Sequence, residues 1–264
     1  MSRLKESFAV DRKALLAYIV AGDPDKGTTV GLMHSMVEAG VDGIELGVPF
    51  SDPEAEGPVI QLAHERALVH KTSLNDCFEM VRKFRQDNQH TPIILMGYLN
   101  PIESMGYDVF SDKAASSGVD AMIIVNLPPE EAPVLSESLK RNKLDLVYLL
   151  APTTTDQRAE MICTKSSGFV YYVSLKGTTG AGTIDVSDVA IKLERFRSMC
   201  TLPVLVGFGI KDGDTAAAVG ANADGVVVGS AIVDRMANAD SSQINQAVCT
   251  LLAEIRQALD ELSS

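Results

Sequence analysis

The chain has 264 residues, 46% of them hydrophobic, and a formal net charge of −12 at pH 7. This length and apolar content suit a single α/β domain with a large core, covering residues 1–264. The acidic charge argues against nucleic acid or an anionic membrane surface as a partner, because both attract clustered Lys and Arg.

Short apolar runs alternate with amphipathic segments along the chain. The eight predicted strands are residues 15–21, 43–48, 92–98, 121–126, 146–150, 169–174, 203–207 and 225–229. The predicted helices are residues 28–39, 59–68, 73–87, 107–117, 129–142, 155–165, 186–198 and 213–220, with a closing helix over 242–262. Strands that alternate with helices predict a parallel sheet, and eight such units are the number that closes a (β/α)8 TIM barrel.

Two further features bear on the architecture. Residues 4–8 are predicted to form an extra N-terminal helix across the barrel bottom, and no strict sequence repeat is evident. The alternative fold is an open, doubly wound sheet.

The cysteines and the N-terminus bear on the compartment. The four cysteines (Cys77, Cys163, Cys200 and Cys249) form no C-x-x-C pair, so reduced thiols in a cytoplasmic protein are the simplest interpretation. Residues 1–13 contain no apolar segment typical of a secretory signal, and no apolar run is long enough to span a bilayer.

The predicted second strand carries one carboxylate among apolar residues. Its alternation places Ile44, Leu46 and Val48 on one face and Glu45, between two glycines, on the other. Barrel active sites lie at the carboxyl ends of strands, so Glu45 is predicted to enter a mostly apolar cavity. Desolvation raises the pKa of such a carboxyl group and suits general acid–base catalysis. The alternative is a structural acid that pairs with an arginine or caps a backbone amide.

Two more acids follow that strand. Glu56 lies just before Pro58, a suitable first helical residue, and is a second catalytic candidate; alternatively, the helix dipole alone favours an acid there. Asp52 is most simply a turn residue, and alternatively an exposed charge that faces a partner.

Glycine-rich segments follow the last three predicted strands, at residues 177–182, 207–209 and 229–231. Glycines let backbone N–H groups approach an oxyanion, and a helix N-terminus adds a favourable dipole, so we predict a phosphate site. The alternative is that the glycines only permit tight turns. Residues 176–183 are interpreted as a lid over the substrate or, alternatively, as a surface loop without a role.

Other polar side chains give weaker signals. The four histidines (His34, His64, His70 and His90) are expected to face solvent, and no H-E-x-x-H metal motif occurs. Tyr98, Asn100 and Tyr171 end or occupy predicted strands and could line the lumen, although a core tyrosine is the commoner interpretation.

The segments ELGVPFSDP (45–53) and GPVIQ (57–61) resemble the signature of the tryptophan synthase alpha subunit family. Supporting matches at 21–24, 96–101, 127–131, 177–180, 207–210 and 228–231 follow the family order. The resemblance implies a (β/α)8 lyase of tryptophan biosynthesis that cleaves indole-3-glycerol phosphate into indole and glyceraldehyde 3-phosphate. It also implies an alpha2beta2 complex in which the beta subunit carries pyridoxal phosphate, whereas this chain needs no cofactor or metal.

The same resemblance implies roles for individual residues. Glu45 would protonate the indole ring carbon C3, and Glu56 would act at the indole nitrogen and the glycerol hydroxyl. The remaining implied roles are an active-site tyrosine (Tyr171), lid-loop residues (Thr179 and Gly180), phosphate contacts (Gly209, Gly229 and Ser230) and a partner contact (Asp52).

Three positions depart from the family pattern. Glu56 stands where Asp is usual, Glu54 where an apolar residue is more typical, and Asn126 where Asp is common. Two other functions are therefore weighed: a regulatory subunit with little lyase activity, and another phosphosugar isomerase or aldolase. A Schiff-base aldolase is disfavoured because the predicted strands contain no lysine.

Overall fold

A parallel sheet of nine strands lies in the described part of the chain, which in this computed structural model comprises residues 2–8, 12–173, 186–207 and 209–262. The strands are β1 (Ala14–Val20), β2 (Gly43–Gly47), β3 (Ile93–Gly97), β4 (Ala121–Ile124), β5 (Asp145–Val147), β6 (Leu149–Leu150), β7 (Val170–Val173), β8 (Val204–Gly207) and β9 (Gly225–Val228). Their order is β5-β4-β3-β2-β1-β9-β8-β7-β6.

The two ends of this order belong to one strand position. Only Tyr148 separates β5 from β6, and β5 pairs with β4 while β6 pairs with β7. The sheet therefore closes into a barrel with eight strand positions, which confirms the TIM-barrel prediction and rules out the open sheet. The predicted fifth strand is present but interrupted at this residue.

Twelve helices accompany the strands in the described ranges. They are α1 (Arg3–Phe8), α2 (Thr28–Glu38), α3 (Pro58–Val69), α4 (Leu74–Asp87), α5 (Leu99–Met105), α6 (Tyr107–Ser117), α7 (Pro133–Arg141), α8 (Asp156–Lys165), α9 (Val186–Arg197), α10 (Gly213–Gly220), α11 (Ser230–Asn238) and α12 (Ile244–Asp260). The helix predicted from residue 129 begins at Pro133 instead, because a turn closed by Glu131 N–H to the Pro128 carbonyl precedes it. Helix α5 was not predicted.

The barrel has an outer core beneath the helices and an inner core in its lumen. Ile44, Leu46 and Val48 of the second strand region belong to the outer core. Helix α1 closes the bottom of the lumen, where Leu4 is fully buried and the Phe8 ring meets the Phe169 ring edge-on at 5.6 Å. The predicted alternation and the extra N-terminal helix are both present.

Four equivalent hydrogen bonds recur at the N-terminal face of the barrel. The strand positions pair in order, the first with the second, the third with the fourth, and so on. In each pair, a polar side chain just before the second strand accepts a hydrogen bond from a backbone N–H near the start of the first strand. The pairs are Leu15 N to Asp42 (2.9 Å), Ile93 N to Asp120 (2.8 Å), Leu146 N to the Ser167 hydroxyl (2.9 Å) and Val204 N to Asp224 (2.8 Å). Four strand pairs are thus tied by equivalent bonds.

Buried arginines reinforce two of these ties. Arg85 Nη2 lies 2.8 Å from Asp120 Oδ2, and Arg256 Nη1 lies 3.0 Å from Asp42 Oδ2. Both acids end a Gly-Val-Asp sequence, at 40–42 and 118–120. The sequence shows no strict repeat along its length, but this Gly-Val-Asp sequence occurs twice, at equivalent places in the fold.

The aliphatic stem of Arg85 explains why the Gly-Val-Asp sequence at 118–120 begins with glycine. Gly118 has φ +94°, and a Cβ atom there would lie 2.8 Å from Arg85 Cγ. We expect Gly118→Ala to lower the free energy of unfolding by about 2 kcal/mol, since a left-handed backbone and the displaced arginine both cost energy. Gly31→Ala, at an exposed site inside α2 with no atom within 4 Å of the added Cβ, should instead raise it by about 0.5–1 kcal/mol. Urea titration of both variants measures the difference, and equal effects would contradict this role of Gly118.

The described ranges contain neither a membrane-spanning helix nor a metal-binding cluster. Within the described ranges, no helix is both long and apolar enough to cross a membrane. The same ranges contain no group of three or more His, Cys, Asp or Glu side chains that could hold a metal ion. All four cysteines are free thiols, and only Cys249 is partly exposed.

Candidate active site

A cavity opens where the strands end at the carboxyl face of the barrel. Its walls are mostly apolar, with polar groups at a few positions. The lining residues are Tyr18, Glu45, Glu56, Ile60, Met96, Tyr171, Gly209, Ile210, Val227, Gly229 and Ser230. Six candidates from separate parts of the sequence therefore meet in one cavity, whose mostly apolar wall with a few polar groups is typical of small-molecule sites.

Glu45 is the acid of this cavity. It lies on β2, is 1% exposed, and neither carboxyl oxygen has a hydrogen-bond partner within the described ranges. Burial, with a smaller contribution from the nearby Glu56 charge, raises the pKa of Glu45 to about 8. The alternative of a structural acid paired with an arginine is therefore wrong, and Glu45 is held protonated at neutral pH.

Glu56 reaches the same cavity from the loop before α3. Its backbone is fixed at both ends, because its N–H donates to the Pro53 carbonyl at 3.0 Å and its carbonyl accepts from Gln61 Nε2 at 2.8 Å. The side chain is only 3% exposed, and burial raises its pKa to about 7. Burial thus raises the pKa of both carboxyl groups toward neutrality, the range that suits an acid and a base of one reaction.

Two tyrosine rings cross the lumen above neighbouring glycines. A Cβ atom on Gly207 would lie 2.0 Å from the Tyr171 hydroxyl, and one on Gly47 would lie 2.4 Å from the Tyr18 hydroxyl. The missing side chains make room for the rings. Tyr18 was not singled out from the sequence, although alternation along the first strand places it on the inward face.

Backbone groups form the other end of the cavity. Gly209 has φ +75°, and Gly229 and Ser230 are the N-cap and first residue of α11. The N-cap residue, Gly229, has no side chain that could cap the helix. Among the described residues, the first N–H of α11 that donates to a backbone carbonyl is that of Ile232. The N-terminal N–H groups are thus suited to an anion such as phosphate.

Thr179 and Gly180, from the predicted lid, lie outside the described residues.

His64 contradicts the expectation that the histidines face solvent. It is 2% exposed, and burial lowers its pKa to about 4. His70 and His90 are exposed as expected, whereas His34 is half-buried, and its ring centroid lies 4.7 Å from that of the tilted Phe84 ring. His64 lies four residues after Ile60 on the buried face of α3, and this helical period was the signal that could have identified it.

The loop between β2 and α3 is supported by Tyr98. The Tyr98 ring stacks on Phe50 at 4.9 Å, and its hydroxyl accepts a hydrogen bond from Ala55 N–H at 3.1 Å. Asp52 lies on the exposed side of this loop, not in the cavity, and accepts a hydrogen bond from Ser51 Oγ at 2.5 Å. Tyr98 is therefore a core tyrosine that holds the loop, and Asn100 is exposed.

Comparison with known proteins places this geometry in context. The family model described as "Tryptophan synthase alpha chain" matches residues 4–261. Curated proteins named tryptophan synthase alpha chain are 56% identical in Marinobacter nauticus, over 96% of this chain and 94% of that protein, and 54% identical in Thioalkalivibrio sulfidiphilus, over 98% and 100%. The crystal structure of tryptophan synthase subunit alpha from Legionella pneumophila str. Paris matches with a TM-score of 0.92 and 43% identity, covering 99% of both chains.

Proposed function

The chain belongs to the tryptophan synthase alpha chain family. This family consists of lyases that cleave indole-3-glycerol phosphate into indole and glyceraldehyde 3-phosphate in tryptophan biosynthesis. From this premise, we propose which residues of this chain carry out the reaction. The observation that carries the proposal is the buried carboxyl group of Glu45 in the cavity, which has no hydrogen-bond partner within the described ranges.

Glu45 supplies the proton that makes indole a leaving group. The bond to be broken joins ring carbon C3 to the glycerol chain. Glu45 is protonated at neutral pH and transfers its proton to C3, which converts the ring to its cationic form. When the carbon–carbon bond breaks, its electron pair returns to the ring and restores aromaticity.

Glu56 takes the proton from the glycerol hydroxyl, so that the carbonyl of glyceraldehyde 3-phosphate forms as the bond breaks. Its pKa of about 7 leaves a substantial ionised fraction at neutral pH, as a base requires. The same carboxylate balances the positive charge that develops at the indole nitrogen. Tyr171 packs in the cavity wall and orients the ring.

The amide end of the cavity binds the substrate phosphate. Gly209, Gly229 and Ser230 supply backbone N–H groups, and this remote binding energy orients the reacting end. Thr179 and Gly180 belong to a lid that excludes water, a role taken from the family resemblance. No lysine lines the cavity within the described ranges, which supports acid–base cleavage over a Schiff-base route.

The purified chain tests this proposal through its pH dependence. Glu45 must be protonated and Glu56 ionised, so kcat/KM for indole release should fall below pH 7 and above pH 8, with a maximum between. Indole and glyceraldehyde 3-phosphate should appear in equal amounts. Activity that still rises at pH 10 would remove Glu45 as the acid.

We further propose a beta-subunit partner in an alpha2beta2 complex, with pyridoxal phosphate bound by the partner and no cofactor in this chain. Indole is a neutral, diffusible product, so the partner that consumes it is expected at the cavity mouth. We also propose a cytoplasmic location, and a single folding domain over residues 1–264, which predicts one cooperative unfolding transition.

The partner footprint is expected on the carboxyl face of the barrel. Hydrogen exchange of the complex should show slower exchange around Asp52, which is exposed beside the cavity. Asp52→Asn should weaken association without a large change in the lyase activity of the free chain. Protection confined to the opposite face, near α1, would contradict this docking mode.

A further inference from the structure

His64 connects the cavity wall to the loop that precedes α3. Its Nδ1 accepts a hydrogen bond from Phe50 N–H at 3.2 Å, and its Nε2 lies 3.4 Å from the Tyr18 hydroxyl. A backbone N–H can only donate, so Nδ1 is the unprotonated nitrogen. The imidazole is neutral at pH 7, which leaves its single proton on Nε2, where it donates to the Tyr18 oxygen.

The Tyr18 hydroxyl therefore keeps its own proton for another acceptor. Tyr18 on β1 is in register with Glu45 on β2, so the two side chains share the inward face. Besides His64, the titratable groups that face Tyr18 are Glu56, Glu45, Tyr98 and Tyr171. An ionised carboxylate is the strongest acceptor among them. Burial and the two carboxylates raise the pKa of Tyr18 well above its usual value, so it remains a donor.

We propose that His64 is a positioning residue for the lyase reaction, which fixes the Tyr18 hydroxyl so that its proton is directed toward the carboxylate of Glu56 across the cavity. This inference rests on the proposed function. A donor directed at Glu56 favours the ionised form of that carboxylate, while Glu45, whose oxygens have no hydrogen-bond partner within the described ranges, stays protonated. His64 thereby helps to keep the acid and the base distinct, without touching the substrate.

A double-mutant cycle tests this role. His64→Leu and Tyr18→Phe should each lower kcat about tenfold, because each removes a hydrogen bond that supports a charged group, with KM changed less than about threefold. The kcat of the double variant should be within about twofold of that of the slower single variant, because both substitutions disrupt the same interaction. Effects that multiply would overturn the proposal.

Two matched variants separate positioning from packing. His64→Gln places an amide N–H near the position of His64 Nε2 and can still donate to Tyr18, so its kcat should stay within about threefold of wild type. His34→Gln, at a histidine beside Phe84 and outside the cavity, should leave kcat unchanged. A His64→Gln variant as slow as His64→Leu would overturn the proposal.

The pH profile gives a readout that loss of packing would not change. Without the Tyr18 donor, the pKa of the ionised carboxylate rises, so the acid limb of kcat/KM should move up by about one pH unit in His64→Leu and Tyr18→Phe. An unmoved limb in both variants would overturn the proposal.

A measurement on the wild-type chain covers the case in which His64→Leu does not fold. Nitrogen NMR of histidine-labelled protein should show the His64 proton on Nε2 from pH 6 to 8. A proton on Nδ1 would overturn the proposal.

Failure of the proposed function would look different. If wild type released indole no faster than Glu45→Gln, the lyase assignment to this cavity would fall and the role of His64 with it. A fast wild type with multiplicative losses in the cycle would remove only the role of His64.

Discussion

Glu45→Gln is expected to lower kcat for indole release about 1,000-fold, with KM changed less than about threefold. The amide keeps the size and most of the shape of the side chain but cannot supply a proton to the ring carbon. The phosphate end of the cavity is untouched, so ground-state binding should persist. Steady-state indole release by both proteins measures the effect.

An acid on the outside of the barrel provides the matched control. Glu137 is exposed on α7, and Glu137→Gln makes the same chemical change away from the cavity. It should leave kcat within experimental error. A Glu45→Gln variant with near wild-type kcat would mean that another group protonates the ring.

Stability should move in the opposite direction to activity. The pKa of Glu45 is about 8 in the folded chain against 4.5 ordinarily, so ionisation favours the unfolded state as pH rises from 4.5 to 8. Wild type therefore loses stability over this window, whereas Glu45→Gln lacks this loss. The variant should become progressively more stable than wild type between pH 5 and 8, which thermal unfolding at several pH values would show. A less active but more stable variant excludes unfolding as the cause.

Glu56→Gln is expected to lower kcat about 100-fold and to remove the acid limb of the pH profile, because the amide cannot accept the hydroxyl proton. Glu56→Asp keeps the base but shortens the side chain on a backbone fixed by Pro53 and Gln61. We expect a smaller loss of about tenfold, since a displacement near 1 Å weakens proton transfer.

The two substitutions at position 56 together test whether this chain uses the longer carboxylate that departs from the family pattern. An intact acid limb in Glu56→Gln would assign the base elsewhere. Equal losses of kcat in Glu56→Gln and Glu56→Asp would show that the position of the carboxylate matters as much as its charge.

Local patterns in the sequence were sufficient for the barrel and for much of the site. Alternation on the second strand placed Glu45 inward, and the position of strand ends brought Gly209 and Ser230 to the same cavity, because parallel strands end at one face. These inferences need only the period of a strand and the geometry of the fold.

Features that depend on distant contacts were not predictable in the same way. The helical period of α3 indicates the buried face of His64, but its partner Tyr18 is 46 residues away and no local pattern pairs the two. The interruption at Tyr148 reflects pairing with different neighbours on its two sides. A strand pattern alone gives no information on which residues a helix will cover.

The central claim is that a protonated Glu45 faces the indole ring while backbone amides hold the phosphate at the other end of the cavity. A crystal structure of Glu45→Gln with indole-3-glycerol phosphate bound tests it most directly, since the slow variant preserves the substrate. We predict ring carbon C3 next to the Gln side chain and the phosphate at the N–H groups of Gly209, Gly229 and Ser230. A phosphate bound elsewhere, or a ring turned away from position 45, would contradict the account.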